Sequence, residues 1–336
     1  MIIPQRELSW YLPLLLCLMF AAGCAGHYEV IELGTLPGGS FSSARDINVN
    51  NEVVGIADTE SGSIHGFLYR DNTMIDLGPL DGGLNSAALG INDRGAVVGR
   101  SQDSNGNYHP VVWRNGYIID LYDELADEAF GEATAINNDN WIIGSVMTTA
   151  VIWKNNLEPT PLVTHFLPRA ANAINQSGTV VGQDQSATRA FIWENEILTH
   201  LPQHDLSWSE ALGLNDTGDV VGWIHSEPPG PVHKIAALFT STGAVRLGTL
   251  GGASSIAHDI NDQQRIIGEA DNADALRLPF YLNFASKVMH LLPTNDNEGA
   301  AYAINENNVI AGEIVDDSGV TKAVIWKLKA PYDYFD

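Results

Sequence analysis

The 336-residue sequence carries 41 Asp and Glu against 17 Lys and Arg, a formal net charge of −24. Such a surface repels phosphate backbones and excludes nucleic acid as a natural partner. A hydrophobic fraction of 45 % suits a packed core, and with only two cysteines that core must hold without a disulfide framework.

The chain opens on a targeting pattern. Arg6 precedes an apolar run from Leu12 to Ala22, broken by Pro13, that is too short and too poorly flanked for a transmembrane helix. The run ends Phe-Ala-Ala-Gly-Cys, which resembles a bacterial lipobox with Ala21 where leucine is usual. Residues 1–23 are then a lipoprotein-type signal peptide, and Cys24 is the lipid-bearing first residue of the mature chain. Cys17 lies inside the removed segment, which leaves Cys24 without a disulfide partner. Ordinary secretory cleavage after Gly23 or Ala25 is the alternative. The expected address is the cell envelope, with contact to a membrane through the lipid anchor only. Ala25 after the cysteine, by resemblance to lipoproteins of two-membraned bacteria, points to the outer membrane; secretion is the alternative.

From residue 27 onward one skeleton recurs: Ala, two free positions, Ile or Leu, Asn, six free positions, Gly. Its asparagines are Asn48, Asn92, Asn137, Asn175, Asn215, Asn261 and Asn305, each followed seven residues later by glycine, from Gly55 to Gly312. Self-similarity at a period of 38 to 46 residues signals a repeat architecture. In the first repeat, Ser43 to Asn48, Val53 to Ala57, Gly66 to Tyr69 and Met74 to Leu77 read as short strands between turn residues. Four strands per repeat match one blade of an all-β propeller. The last repeat stops after its third strand, Ala323 to Trp326, while a surplus strand, Tyr28 to Leu33, precedes the first. Pairing the two removes the open edges and predicts a closed seven-bladed β-propeller over residues 27–328, with a short tail at 329–336.

The invariants have architectural explanations in that setting. Alanine at each inner strand start avoids crowding at the axis. Asparagine suits a tight turn, since it bonds local backbone and tolerates left-handed conformations. Glycine permits a close approach of blade faces or a local bulge.

Third strands beginning His65-Gly-Phe-Leu-Tyr69 and His109-Pro-Val-Val-Trp113, and fourth strands running into Leu33-Gly-Thr-Leu-Pro-Gly-Gly39 and Leu247-Gly-Thr-Leu-Gly-Gly252, complete a pattern with the Ile-Asn and Val-Val-Gly elements. It resembles the extracellular HAF-repeat family of bacterial proteins over nearly all of the mature chain. The resemblance implies an exported, propeller-like repeat protein and no assigned chemistry. No repeat here has a literal His-Ala-Phe, and the equivalents of His65 in repeats three to seven are Thr149, Arg189, Ala236, Leu278 and Lys322, so no ring of histidine ligands is available. The histidines read as surface hydrogen-bonding residues, and Trp113, Trp153, Trp193 and Trp326 as core between blades.

The repeats differ most between strands two and three, a connection that emerges at the same end as the crossovers between blades. Variable loops on a rigid scaffold carry recognition. The longest follows Ile224 in repeat five, where His225, Pro228, Pro229 and His233 are the candidate binding residues; a tolerated surface insertion is the alternative. Asp103 to Asn107 and Asp316 to Gly319 offer oxygens to Ca²⁺ only weakly, because neither has the carboxylate count of a self-contained site. Glu132 and Glu210 sit just before inner strands near the channel mouth. Two such carboxylates define an alternative reading, a glycoside hydrolase or lyase. The preferred expectation is a non-catalytic binding or scaffold protein of the envelope that recognises a protein or glycan, with no cofactor.

Overall fold

The computed structural model describes residues 28–122, 130–155, 157–163, 168–184, 188–202, 208–225 and 232–329. The expected signal peptide, Cys24, Pro228, Pro229 and most of the C-terminal tail lie outside these residues.

The described chain forms seven four-stranded antiparallel sheets and no helix. Blade one contains Ser42–Ile47, Val53–Asp58, Ile64–Arg70 and Thr73–Asp76 from the axis outward. The later repeats build blades two to six in the same order. Blade seven takes its inner three strands, Gly299–Ile304, Ile310–Val315 and Thr321–Leu328, from the end of the chain and its outer strand, Tyr28–Gly34, from the beginning. Tyr28 pairs with Leu328 and Gly34 with Ala323, so the ring closes by backbone pairing as expected.

The recurring glycine answers to a bulge inside each blade. The inner strand slips register between Ala44 and Asp46 in blade one, and at the same place in the other six. A Cβ on Gly55 would stand inside the carbonyl oxygen of Ser43, and one on Gly312 inside that of Ala300. Buried side chains fill the seams between blades; Phe67, Trp153, Phe191, Phe280 and Trp326 are fully enclosed. Trp193 and Trp326 each donate their indole N–H to a carbonyl in the crossover from the preceding blade, on Leu162 and Pro293, both at 2.8 Å.

The asparagines do more than shape turns. Asn48 Oδ1 accepts the N–H groups of Asn50 and Glu52, both at 3.0 Å, which is the local role expected. The left-handed residue of each turn is not the asparagine but the third residue after it, for instance Asn51, Asn140 and Asn308. The amide nitrogen then reaches the next blade: Asn48 Nδ2 donates to the carbonyl of Asn92, Asn92 to Asn137, Asn137 to Asn175, Asn175 to Asn215, Asn215 to Asn261 and Asn261 to Asn305. Asn305 Nδ2 returns to the carbonyl of Asn48 at 2.9 Å. Seven buried amides thus form an unbroken belt around the axis at the turn face.

One register differs from expectation. In blade five Gly222 faces Ala237, so Ile235, not Ala236, occupies the position equivalent to His65. The His225↔Lys234 pair closes the ladder beneath the long connection.

Candidate functional site

The axial channel opens at two faces. At the turn face the residues after the asparagines form the rim. The Asp93 carboxylate accepts the N–H of Val49, Asp216 that of Gln176, Asp262 that of Asp216 and Glu306 that of Asp262, all between 2.8 and 3.1 Å. Asp93 and Glu306 border a cavity of about 170 Å³ with Asn138 and Gln176. Burial, followed by the like charges of Asp262, Asp216 and Asp93, raises the Glu306 carboxyl above its ordinary range despite a hydrogen bond from Asp262.

At the opposite, loop face the inner strands begin. Glu132 and Glu210 lie here, as their sequence positions imply, but no hydrogen bond or ion pair joins them. Glu132 Oε2 meets Arg100 Nη1 of blade two at 3.1 Å. Glu210 Oε2 accepts the indole N–H of Trp223 at 3.1 Å, and its Oε1 accepts Asn172 Nδ2 at 3.1 Å. Both oxygens of Glu210 therefore hold other side chains in place.

That bond is the foundation of a cluster on blade five, whose inner strands are Ser209–Leu214, Val220–His225 and Lys234–Thr240. Strand alternation puts Trp223 and His225 on one face, since they are two residues apart. The N–H of His225 bonds the carbonyl of Trp208, which sets these residues side by side across strands. The His225 ring stacks with Trp208 at 5.3 Å and 24°, and with Trp223 at 5.3 Å and 28°. Lys234, opposite His225 on the third strand, sets its ammonium 4.3 Å from the centre of the Trp223 ring. Trp223 is 4 % exposed and fixed, whereas Trp208 is 54 % exposed. Burial, with the Lys234 charge second, lowers the His225 pKa from its usual value.

The cluster continues into blades six and seven. Arg277 bridges Glu269 at 3.3 Å and Glu313 at 3.1 Å. Glu313 also accepts the Tyr302 hydroxyl at 2.9 Å and the Ser43 hydroxyl at 2.6 Å, joining blade seven to blade one. Burial, reinforced by Glu313, pushes the Tyr302 phenol up to about 12. Burial also pushes Glu269 upward, but His258, Arg277 and Lys234 outweigh it and hold the carboxyl below its ordinary range. The His258 contact, 3.9 Å from Nε2 to the carboxylate, is a charge contact and too long for a hydrogen bond.

His225 is thus brought into a cluster as one of the expected binding residues. His233 lies 3.5 Å from the Ser254 hydroxyl. Trp208, Trp223 and Lys234 were not apparent from the repeats. The available signal was that Trp208 and Trp223 fall outside the aromatic position that recurs at Trp113, Trp153, Trp193 and Trp326. His65 and His109 bond Asp76 and Asp120 across the outer strands at 2.9 and 2.6 Å. Asp103 and Asp316 each use an oxygen for their own turn, accepting the N–H groups of Asn105 and Asn107 and of Ser318 and Val320.

No protein-family model matches the sequence, and no curated protein matches it. Solved structures match the fold. YCF48 bound to D1 peptide is 11 % identical with a TM-score of 0.54, over 90 % of this chain and 97 % of that one. The β-propeller domain of the Trilobed protease from Pyrococcus furiosus, described as having an open velcro topology, is 11 % identical with a TM-score of 0.54, over 88 % of this chain and all of that one. At such identity the likeness concerns the fold.

Proposed function

We propose that this protein is a non-catalytic glycan-binding propeller of the bacterial envelope, and that the ligand docks on the loop face of blade five. The observation that carries this reading is the half-exposed Trp208 ring, stacked through His225 on a buried Trp223 that Glu210 holds in place. A rigid aromatic face loses little side-chain entropy on binding and matches the C–H face of a sugar ring. The peptide bound to YCF48 belongs to that protein; here the free sheet edges are the innermost strands, crowded round the axis, and the outer strands, so an extended peptide would add a strand at the outer rim. The engagement of both Glu210 oxygens and the Glu132–Arg100 pair favour recognition over acid and base chemistry.

Geometry and address fit one another. Tyr28 lies at the turn face, where its hydroxyl donates to the carbonyl of Asn308 at 3.3 Å and Arg265 donates to it at 2.8 Å. In sequence only residues 25–27 separate it from Cys24. A lipid on Cys24 would hold the turn face toward the membrane and present the loop face away from it. The resemblance to the HAF-repeat family, which implies export, agrees with this reading. A glycan array probed with the purified protein, run beside an assay for new reducing ends on the same glycans, tests it. Binding without turnover is expected, and turnover would establish the hydrolase or lyase instead.

A further inference from the structure

The ligand's chemical class can be read from what stands beside the aromatic face, if the reading of that face as a glycan platform is right. Trp208, His225 and Lys234 sit next to one another at the loop-face ends of the three inner strands, with Trp223 two residues deeper on the strand of His225. The Lys234 residue is exposed, and its ammonium rests on the Trp223 ring with no carboxylate within ion-pairing distance among the described residues.

The neighbouring acids already have partners. Both Glu210 oxygens are engaged by Trp223 and Asn172. Glu269 meets Arg277 and His258, and Glu313 meets Arg277, Tyr302 and Ser43. Arg277 is in turn occupied by two carboxylates. Lys234 acts on Glu269 through its charge without forming an ion pair, so it is the cation of this patch that remains open to an incoming anion, and its ring contact limits the directions it can take. The whole sequence carries a net charge of −24. At physiological ionic strength charges more than about 8 Å away are largely screened.

Trp208 and Lys234 flank His225 at the ends of the first and third strands, so a chain that lays one sugar on the free face of Trp208 runs past an ammonium on the same patch. We infer that the ligand is an acidic glycan, a uronic-acid-containing chain whose sugar face stacks on Trp208 and whose carboxylate is received by Lys234. A charge-assisted contact of this kind is stronger than a neutral one and discriminates against a sugar lacking the acid.

The test uses oligosaccharides of galacturonate, of mannuronate and of hyaluronan, each compared with its carboxyl-reduced form, titrated against the purified protein by calorimetry. At least one acidic series should bind, and its reduced form should bind about ten-fold more weakly or worse. Lys234→Gln should lose a similar factor on the acidic chain and nothing on the reduced one, Lys234→Arg should retain most of the affinity, and Trp208→Ala should lose both. Melting curves of the three variants should coincide with that of the parent. Equal affinity for acidic and reduced forms, or an unchanged acidic-chain affinity in Lys234→Gln, overturns the inference while leaving the platform intact. Binding only to neutral glycans does the same. If no glycan of either kind binds, the platform reading falls together with it.

Discussion

Two acids set into the blade seams give the ring a pH dependence of unusual sign. At the bulge, five blades carry Gly90, Ala135, Ala173, Gly213 and Ala303, whereas blades one and six carry Asp46 and Asp259. Asp46 accepts the N–H of Ile47 and, across the seam, that of Ile91 in blade two, both at 2.8 Å. Asp259 accepts Ile260 at 2.8 Å and Ile304 of blade seven at 2.9 Å. Burial dominates these bonds and raises both carboxyls to about 7, with the charge of Asp46 adding to the shift on Asp259. The unfolded-state value is near 3.9. A raised acid binds its proton more tightly in the folded state, so its contribution to stability is complete below pH 3.9 and disappears as pH climbs through 7. Each pH unit in that window is worth about 1.4 kcal/mol per group, a ceiling of about 5 kcal/mol for the pair between pH 5 and 8. Both side chains retain partial solvent exposure, which softens the desolvation cost, and about half that ceiling, 2 to 3 kcal/mol, is the working figure. Urea unfolding of the parent and of Asp46→Asn/Asp259→Asn at pH 5, 6, 7 and 8 measures it. Whatever the substitutions cost at pH 5, the parent should lose about 2 to 3 kcal/mol more than the double variant by pH 8. Parallel curves would refute the reasoning, and a parent that gains on the variant with rising pH would show that the backbone bonds, not burial, set these pKa values.

Deleting Tyr28 to Gly34 should lower stability by several kcal/mol and promote aggregation, because it opens the edge of Thr321–Leu328, and a deletion that melts like the parent would contradict closure by this strand. Asn175→Asp keeps the oxygen that accepts Thr179 N–H but removes the donor to the carbonyl of Asn215, so it should cost about 1 to 3 kcal/mol in urea unfolding, whereas a purely local turn role predicts almost no loss. Cys24→Ser should move the protein from the membrane fraction to the soluble one with an unchanged melting curve, and persistent membrane association would exclude the lipid anchor.

The fold was legible because each rule was stated seven times. An Asn seven residues before a Gly recurs wherever the inner strand turns, and both causes are local: a turn closed by the amide oxygen and a bulge that leaves no room for a Cβ. The outward half of the asparagine's role was not legible, since its acceptor lies a full repeat away and no local pattern reports a bond between blades. Glu210 was visible as an odd residue in the repeat, a carboxylate that only the alternative hydrolase or lyase reading would use; its partner, the Trp223 indole, lies thirteen residues away on the next strand, and that bond has no signature in the repeat. The stack itself required the register of three strands. Sequence places His225 beside a long loop, but only the pairing of His225 with Lys234 and its bond to Trp208 bring the platform together.

The most direct measurement of the central claim is a side-by-side glycan array of the parent and Trp208→Ala at matched melting temperature. Because the Trp208 ring is half exposed, the substitution removes ligand contact more than core, and stacking of one ring contributes about 1 kcal/mol or somewhat more. The account predicts that the parent binds a restricted set of glycans and that Trp208→Ala loses about ten-fold or more on every one of them. Full binding by Trp208→Ala, or no glycan bound by the parent, would contradict it.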